Sequence, residues 1–253
     1  MTPRDELLAQ DVAISESPAA SAYRSPFAVV TSPDGKTIYA TDQTGGRLSI
    51  LDVASMTACG EIELHGRPQG LALSNDGSTL YVAEHGASSV AVIDTNKQTI
   101  TSRIAVGLWP TAVALGEQSR RLYVANQDRD SISVIDLSQQ PAKTITEIAV
   151  VREPSSLAIT PDEKHVVVTN LMALGRGTDP TLSAVVSIID TGTLAAARSV
   201  KLPPGSTMVP GVAGSPDGKW AYVVHGLGRF NLPITQLERG WVNTNGLSII
   251  DIA

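Results

Sequence analysis

An all-β fold is predicted, a β-propeller of four-stranded antiparallel blades, and three observations predict it. The phrase SPDGKTIYATD at residues 32–42 returns in related form, giving five copies in all. Each copy sits among short segments rich in Val, Ile, Leu and Tyr, with turn residues between them. The spacing stays near 42 residues in the first intervals. Four short strands in a repeat of this length are the signature of a propeller blade. A helical repeat needs apolar periodicity sustained over roughly ten or more residues, and these segments are too short. A β-sandwich gives no reason for matching residues to recur in register.

The copies start at 32, 74, 116, 160 and 215, at intervals of 42, 42, 44 and 55 residues. Ahead of each copy lies a first strand, A: PFAVV (26–30), PQGLAL (68–73), PTAVAL (110–115), PSSLAI (154–159) and PGVAG (210–214). The phrase itself supplies a turn and strand B. Strand C follows as LSILD (48–52), VAVID (90–94), ISVID (132–136), VSIID (186–190) and LSIID (247–251). A fourth strand, D, follows in the first four units: CGEIEL (59–64), TSRIAV (101–106), ITEIAV (145–150) and ARSVKL (197–202). The blades then occupy about 23–66, 67–108, 109–152, 153–206 and 207–253, after an N-terminal segment, 1–22. The last blade lacks its outer strand. LAQDVAIS (8–15) is a candidate to supply that strand and close a ring of five. In the competing reading the chain is a piece of a larger propeller, and 8–15 belongs to a preceding blade.

The repeated residues have simple physical readings. Pro33-Asp34-Gly35 and Pro216-Asp217-Gly218 join A to B: proline presets φ, Asp bonds its own backbone and Gly takes the φ > 0 position. Blades 3 and 4 depart from this pattern, which a turn tolerates and a catalytic motif would not. Tyr39, Tyr81, Tyr123 and Tyr222 form a column expected to pack between sheets, with Val167 in their place in blade 4. Asp52, Asp94, Asp136, Asp190 and Asp251 close strand C and are expected to accept backbone N–H bonds in the C–D turn.

A third column ends strand B: Asp42, Glu84, Asn126, Asn170 and His225. Strands alternate in direction, so the B–C and D–A connections share one face, which this polar column rings. Such a ring suits bracing of each B–C loop by hydrogen bonds; the alternative is a Ca²⁺ site with oxygen ligands. His65, His85 and His165 lack metal-ligand spacing and are expected at the surface or in loops.

The repeat breaks on that same face. The B–C connection has five residues in blades 1 to 3, fifteen in blade 4 (171–185) and twenty-one in blade 5 (226–246). Connections this long inside a compact repeat tend to be functional. The second carries Arg229, Phe230, Arg239, Trp241 and Asn243, a mixture that suits an interface anchor. It equally suits a loop folded over the axial opening onto its own blade. Arg176 and Asp179 in the neighbouring connection would complete a polar rim.

The net charge of −6 and a pI near 5.2 speak against nucleic acid or an anionic membrane as partner. No stretch approaches the roughly 18 apolar residues of a membrane span. The opening MTPRDELLAQDVAIS does not read as a signal peptide. Cys59 is the sole cysteine, so no internal disulfide is expected. There is no CxxCH, CxxC or HExxH motif, hence no haem attachment in this chain.

LYVAN followed by SVIDL, with SPDGK ahead of the tyrosine strand, resembles the YVTN family of β-propellers from about residue 23 onward. The resemblance implies a seven-bladed propeller, of which five repeats are seen. The 226–246 insertion resembles a subgroup found beside or fused to c-type cytochromes and di-haem peroxidases. That subgroup implies a periplasmic or extracellular setting and a redox partner carrying the haem. The expected role is a non-enzymatic scaffold or binding module for a protein partner. Kept open beside it are a propeller enzyme, either a lactonase or hydrolase or a cofactor-dependent dehydrogenase, and a cell-surface structural propeller.

Overall fold

The computed structural model describes residues 24–176, 179–228 and 243–252. Within them β-branched and aromatic runs alternate with Asp- and Gly-bearing turns, and nineteen strands result. Blade 1 comprises β1 (Pro26–Thr31), β2 (Thr37–Asp42), β3 (Arg47–Asp52) and β4 (Thr57–Glu63). Blade 2 comprises β5 (Pro68–Leu73), β6 (Thr79–Glu84), β7 (Ser89–Asp94) and β8 (Thr99–Ala105). Blade 3 comprises β9 (Pro110–Gly116), β10 (Arg121–Asn126), β11 (Ser131–Asp136) and β12 (Lys143–Ala149). Blade 4 comprises β13 (Pro154–Ile159), β14 (His165–Asn170), β15 (Val185–Asp190) and β16 (Ala195–Lys201). Blade 5 has three strands: β17 (Ser206–Gly214), β18 (Trp220–Gly228) and β19 (Asn243–Asp251). Each sheet is an antiparallel meander, as the sequence predicts, and the A strands of successive blades contact one another. The proposed strand at 8–15 lies outside the described residues.

Two irregularities recur and follow from sequence. The proline that opens strand A stands opposite the polar residue ending strand B: Pro26 with Asp42, Pro68 with Glu84, Pro110 with Asn126, Pro154 with Asn170. A register shift follows each of these pairs. Proline lacks the N–H a continuous ladder needs, so it sits at the strand end beside a bulge. A second bulge falls in the C–D ladder of blades 1 to 4, after Ile50, Val92, Val134 and Ile188. Strand D accordingly begins two residues earlier than its apolar core suggests.

The core lies between blades. Tyr39, Leu48 and Ile50 pack on Leu80, Val82 and Ile93 of blade 2. Tyr81 and Tyr123 repeat this against blades 3 and 4, and Val167 does so against blade 5.

On the A–B face the turns of blades 1, 2, 4 and 5 share one device. The hydroxyls of Ser32, Ser74, Thr160 and Ser215 donate to Asp34, Asp76, Asp162 and Asp217, which also accept a following backbone N–H. These bonds hold the four carboxyls below the usual range, with Asp76 lowered to about 2. Asp52 and Asp190 are lowered by turn N–H groups, Asp94 by the Lys97 ammonium and Asp136 by the Ser138 hydroxyl. A depressed carboxyl adds stability above its unfolded pKa, and that stability is lost as pH falls through the folded value. Urea unfolding is therefore expected to show the contribution of these carboxyls intact down to about pH 5 and lost progressively between pH 3.8 and about 2. A flat profile through that window would contradict these turn assignments.

The departures in blades 3 and 4 also find a reason. Glu163 replaces the turn glycine and adopts its left-handed backbone, at φ 54°. Its carboxylate accepts the Gln118 and Ser119 N–H groups of the neighbouring turn, both at 2.9 Å. Glu117 likewise accepts the Asn75 N–H of blade 2. The strained residue is retained where its side chain joins two blades.

Candidate functional site

The strand-B column lies on the opposite face, and all five residues are buried. Asp42 Oδ1 accepts the Ser25 and Gly45 N–H groups at 2.9 and 3.0 Å, with Arg47 at 3.9 Å from Oδ2. Burial opposes ionisation of Asp42, but these N–H bonds and the nearby arginines outweigh it and lower its pKa. Glu84 accepts the His65 N–H at 2.8 Å, the Ser89 hydroxyl at 2.7 Å and Arg103 Nε at 2.9 Å. Asn126 donates to Ser131 and Ser133, and Asn170 donates to the Val185 carbonyl at 2.7 Å. His225 Nε2 is 2.9 Å from Ser248 Oγ. Each side chain is thus engaged with its own B–C hairpin or with the segment leading into its blade. Asn126 Oδ1 and Asn170 Oδ1 have no hydrogen-bond partner among the described residues. Among those residues no three His, Cys, Asp or Glu side chains gather as metal ligands do.

The two long connections are shorter as loops than the sequence suggests. Val185 belongs to β15, so the blade 4 connection is 171–184. In blade 5 the expected loop 226–246 is a correction. Gly226, Leu227 and Gly228 pair with Asn245, Thr244 and Asn243, so both ends of that stretch are strand, and 229–242 lie outside the described residues. Ser206 and Thr207 add a third strand by pairing with Leu227 and Gly226. Glycine reads as loop in a sequence, but here it lets backbones approach closely: a Cβ on Gly226 would lie 3.3 Å from the Thr207 carbonyl oxygen.

Backbone bonds lace the two connections together. The Gly205 N–H donates to the Leu182 carbonyl, the Gly228 N–H donates to the Gly205 carbonyl, and the Met208 N–H donates to the Leu171 carbonyl. Within the first connection Leu174 bridges to Ser183. Its tip is a turn in which the Asp179 N–H donates to the Arg176 carbonyl and the Asp179 carboxylate accepts Thr181. The Thr181 N–H and hydroxyl lower the Asp179 pKa, and Arg176 is exposed. Arg176 and Asp179 therefore meet at one tip. Arg229, Phe230, Arg239 and Trp241 lie outside the described residues, and Asn243 opens β19 opposite Gly228.

Two clefts open on this side. One, of about 510 Å³, is lined by Met208, Pro210, Val224, His225, Leu227 and Thr244 of blade 5. The other, of about 250 Å³, lies among Trp109, Gln127, Asp130, Arg152 and Glu153. His85 stacks on Trp109 with ring centroids 5.6 Å apart. Burial and the Arg67 charge lower the His85 pKa, favouring neutral imidazole. Trp109 and Glu153, just ahead of strand A, and Met208, at the register shift within β17, share a left-handed backbone, with φ between 48° and 56°. Periodicity does not single out Trp109 or the ring packing of His85. The available signal was a bulky residue before the blade-opening proline, as in Leu108-Trp109-Pro110.

Comparison with known proteins gives two findings. Residues 13–128, 116 of the 253, match the family model described as SMP-30/Gluconolactonase/LRE-like region. No curated protein matches the chain. A solved chain of Kuenenia stuttgartiensis Hydrazine Synthase is similar at 26% identity, with a TM-score of 0.82 over 95% of this chain. The present chain covers 66% of that one, just under two thirds of its length. Both findings agree with the propeller fold.

Proposed function

We propose that this propeller is a binding module that presents the cap formed by 171–184 and the blade 5 extension to a protein partner. The carrying observation is the lacing through Gly205, which makes two insertions on adjacent blades one built surface. The partner is a redox protein of the c-type cytochrome or di-haem peroxidase kind, in the periplasm or outside the cell. Supporting this are the resemblance of the repeats to YVTN-type propellers and of the 226–246 insertion to that of cytochrome-associated propellers. In this reading the haem belongs to the partner. The test replaces 229–242 by Asn-Gly, a two-residue turn suited to the paired strands at Gly228 and Asn243. Binding to a soluble c-type cytochrome and to a di-haem peroxidase is measured by surface plasmon resonance. The intact protein is expected to bind one of them and the shortened protein to lose at least about tenfold in affinity, or about 1.4 kcal/mol. No binding by the intact protein, or equal binding by both forms, rejects the proposal.

The family match over 13–128 favours a second reading, a propeller lactone hydrolase. Its metal would need acidic or histidine donors gathered in one place, and no three such side chains gather among the described residues. Metal analysis of the purified protein, with an aldonolactone hydrolysis assay in Ca²⁺ or Zn²⁺, decides it. Turnover would put catalysis ahead of scaffolding.

A further inference from the structure

The cleft beside Trp109 is assembled from consecutive blades in the middle of the chain. Just ahead of strand A one backbone bond repeats: the Gln43, His85, Gln127 and Leu171 N–H groups donate to the Ser25, Arg67, Trp109 and Glu153 carbonyls. These bonds set Ser25, Arg67, Trp109 and Glu153 at equivalent points of the B–C face, and of the four only blade 3 puts an aromatic ring there. Trp109 is 50% exposed. A single exposed apolar residue needs no explanation, but this ring is built into its surroundings. His85 of blade 2 stacks on it, and the Gln127 side chain hydrogen-bonds the His85 ring. Gln127 Nε2 also reaches Glu153 Oε2 at 3.4 Å, and Asp130 accepts the Glu153 N–H at 2.7 Å. These residues enclose the cleft of about 250 Å³ together with Asp128 and Arg152.

Three carboxylates and one guanidinium thus line one small space. Among the described residues none of these four side chains belongs to an ion pair, so Arg152 does not neutralise the acids and negative charge is in excess. Arg67 acts on His85 and is not part of the lining. His85, favoured as neutral imidazole, puts no full charge behind the indole. The face of an indole ring carries the negative part of its quadrupole, and a cation over it is attracted. Asp128, Asp130 and Glu153 do not gather as metal ligands do, so the charge they attract is spread over a larger ion. The volume lies below the roughly 300–1,000 Å³ of pockets for drug-sized ligands, which limits the occupant to a small head group.

We propose that this cleft binds a small organic ammonium ion, its charged head on the Trp109 ring and within the field of Asp128, Asp130 and Glu153. Two sources share that chemistry: a free quaternary amine and a methylated lysine side chain of a protein. The site is separate from the cap, so it stands whether or not the cap binds a redox protein.

The test is isothermal titration calorimetry of the full chain at low salt with two probes, choline and capped trimethyllysine. At least one is expected to bind with a Kd of about 1 mM or below. Tighter binding of choline assigns the site to a free amine, and tighter binding of the lysine assigns it to a protein tail. The alcohol 3,3-dimethylbutan-1-ol has the shape of choline without its charge and is expected to bind at least about tenfold more weakly than choline. Trp109→Leu is expected to lose at least about tenfold in affinity, Trp109→Phe to keep part of the binding, and Glu153→Gln to lose about threefold. Circular dichroism checks the fold of each variant. Should Trp109→Leu fail to fold, the indole N–H resonance of Trp109 is followed in the intact protein, identified by its loss from Trp109→Phe. It is expected to shift on addition of the bound probe while the other two indole signals stay. No binding of either probe, equal binding of the neutral alcohol, unaltered affinity in Trp109→Leu, or an unmoved Trp109 resonance would each overturn the proposal.

Discussion

Glu84→Ala is expected to cost about 3 kcal/mol of folding stability, at the lower end of the range for breaking a buried ion pair. The Glu84 side chain is fully buried and receives three donors: Arg103, the Ser89 hydroxyl and the His65 N–H. Alanine leaves all three without this acceptor and opens a void where blade 2 meets the segment arriving from blade 1. The Arg103 side chain keeps 32% exposure, so water relieves part of the loss. Glu84→Gln retains the shape and one oxygen acceptor and is expected to cost about 1–2 kcal/mol. Urea denaturation with an unchanged slope gives both values. A loss below about 1 kcal/mol for the alanine variant would show that Glu84 is not the brace described.

Gly205→Ala is expected to cost about 2–4 kcal/mol and to loosen the cap before the rest of the molecule. A Cβ at Gly205 would lie 2.4 Å from the Gly228 carbonyl oxygen, and the residue sits at φ 86°. Either feature alone disfavours a side chain; together they force apart backbones bonded from Leu182 through Gly205 to Gly228. Amide hydrogen exchange at Gly205 and Gly228 is expected to accelerate, while exchange in β6 and β10 stays slow. If the cap binds the partner, capture is lost as well. Unchanged exchange at Gly228 would show that the lacing does not depend on this close approach.

The fold was legible because a blade repeats its physics. Pro33-Asp34-Gly35, Tyr39 and Asp52 mark a turn, a packing ring and a second turn, and each recurs at nearly fixed spacing. The candidate site was less legible because it is made where repetition stops. The strand-B column could be found, but its acceptors and donors depend on partners such as His65 and Arg103, which lie about 19 residues from Glu84. The blade 5 extension was misread as loop because glycines at 226 and 228 hide a paired strand from composition alone. Gly205 carried no sequence signal, since its role comes from a carbonyl 23 residues away. In sequence Glu163 is only a turn variant, because its contact is with the Gln118 N–H of blade 3.

That last contact bears on how such chains can be rearranged. Blade 4 holds blade 3 through Glu163, and blade 3 holds blade 2 through Glu117, so these turns read their neighbours as well as themselves. The repeats are therefore not interchangeable parts. A blade duplicated or transplanted between 3 and 4 would separate an acid from the amides it serves, even with every strand correct. Order along the chain is written into the turns, and a recombined propeller would have to inherit them as adjacent pairs.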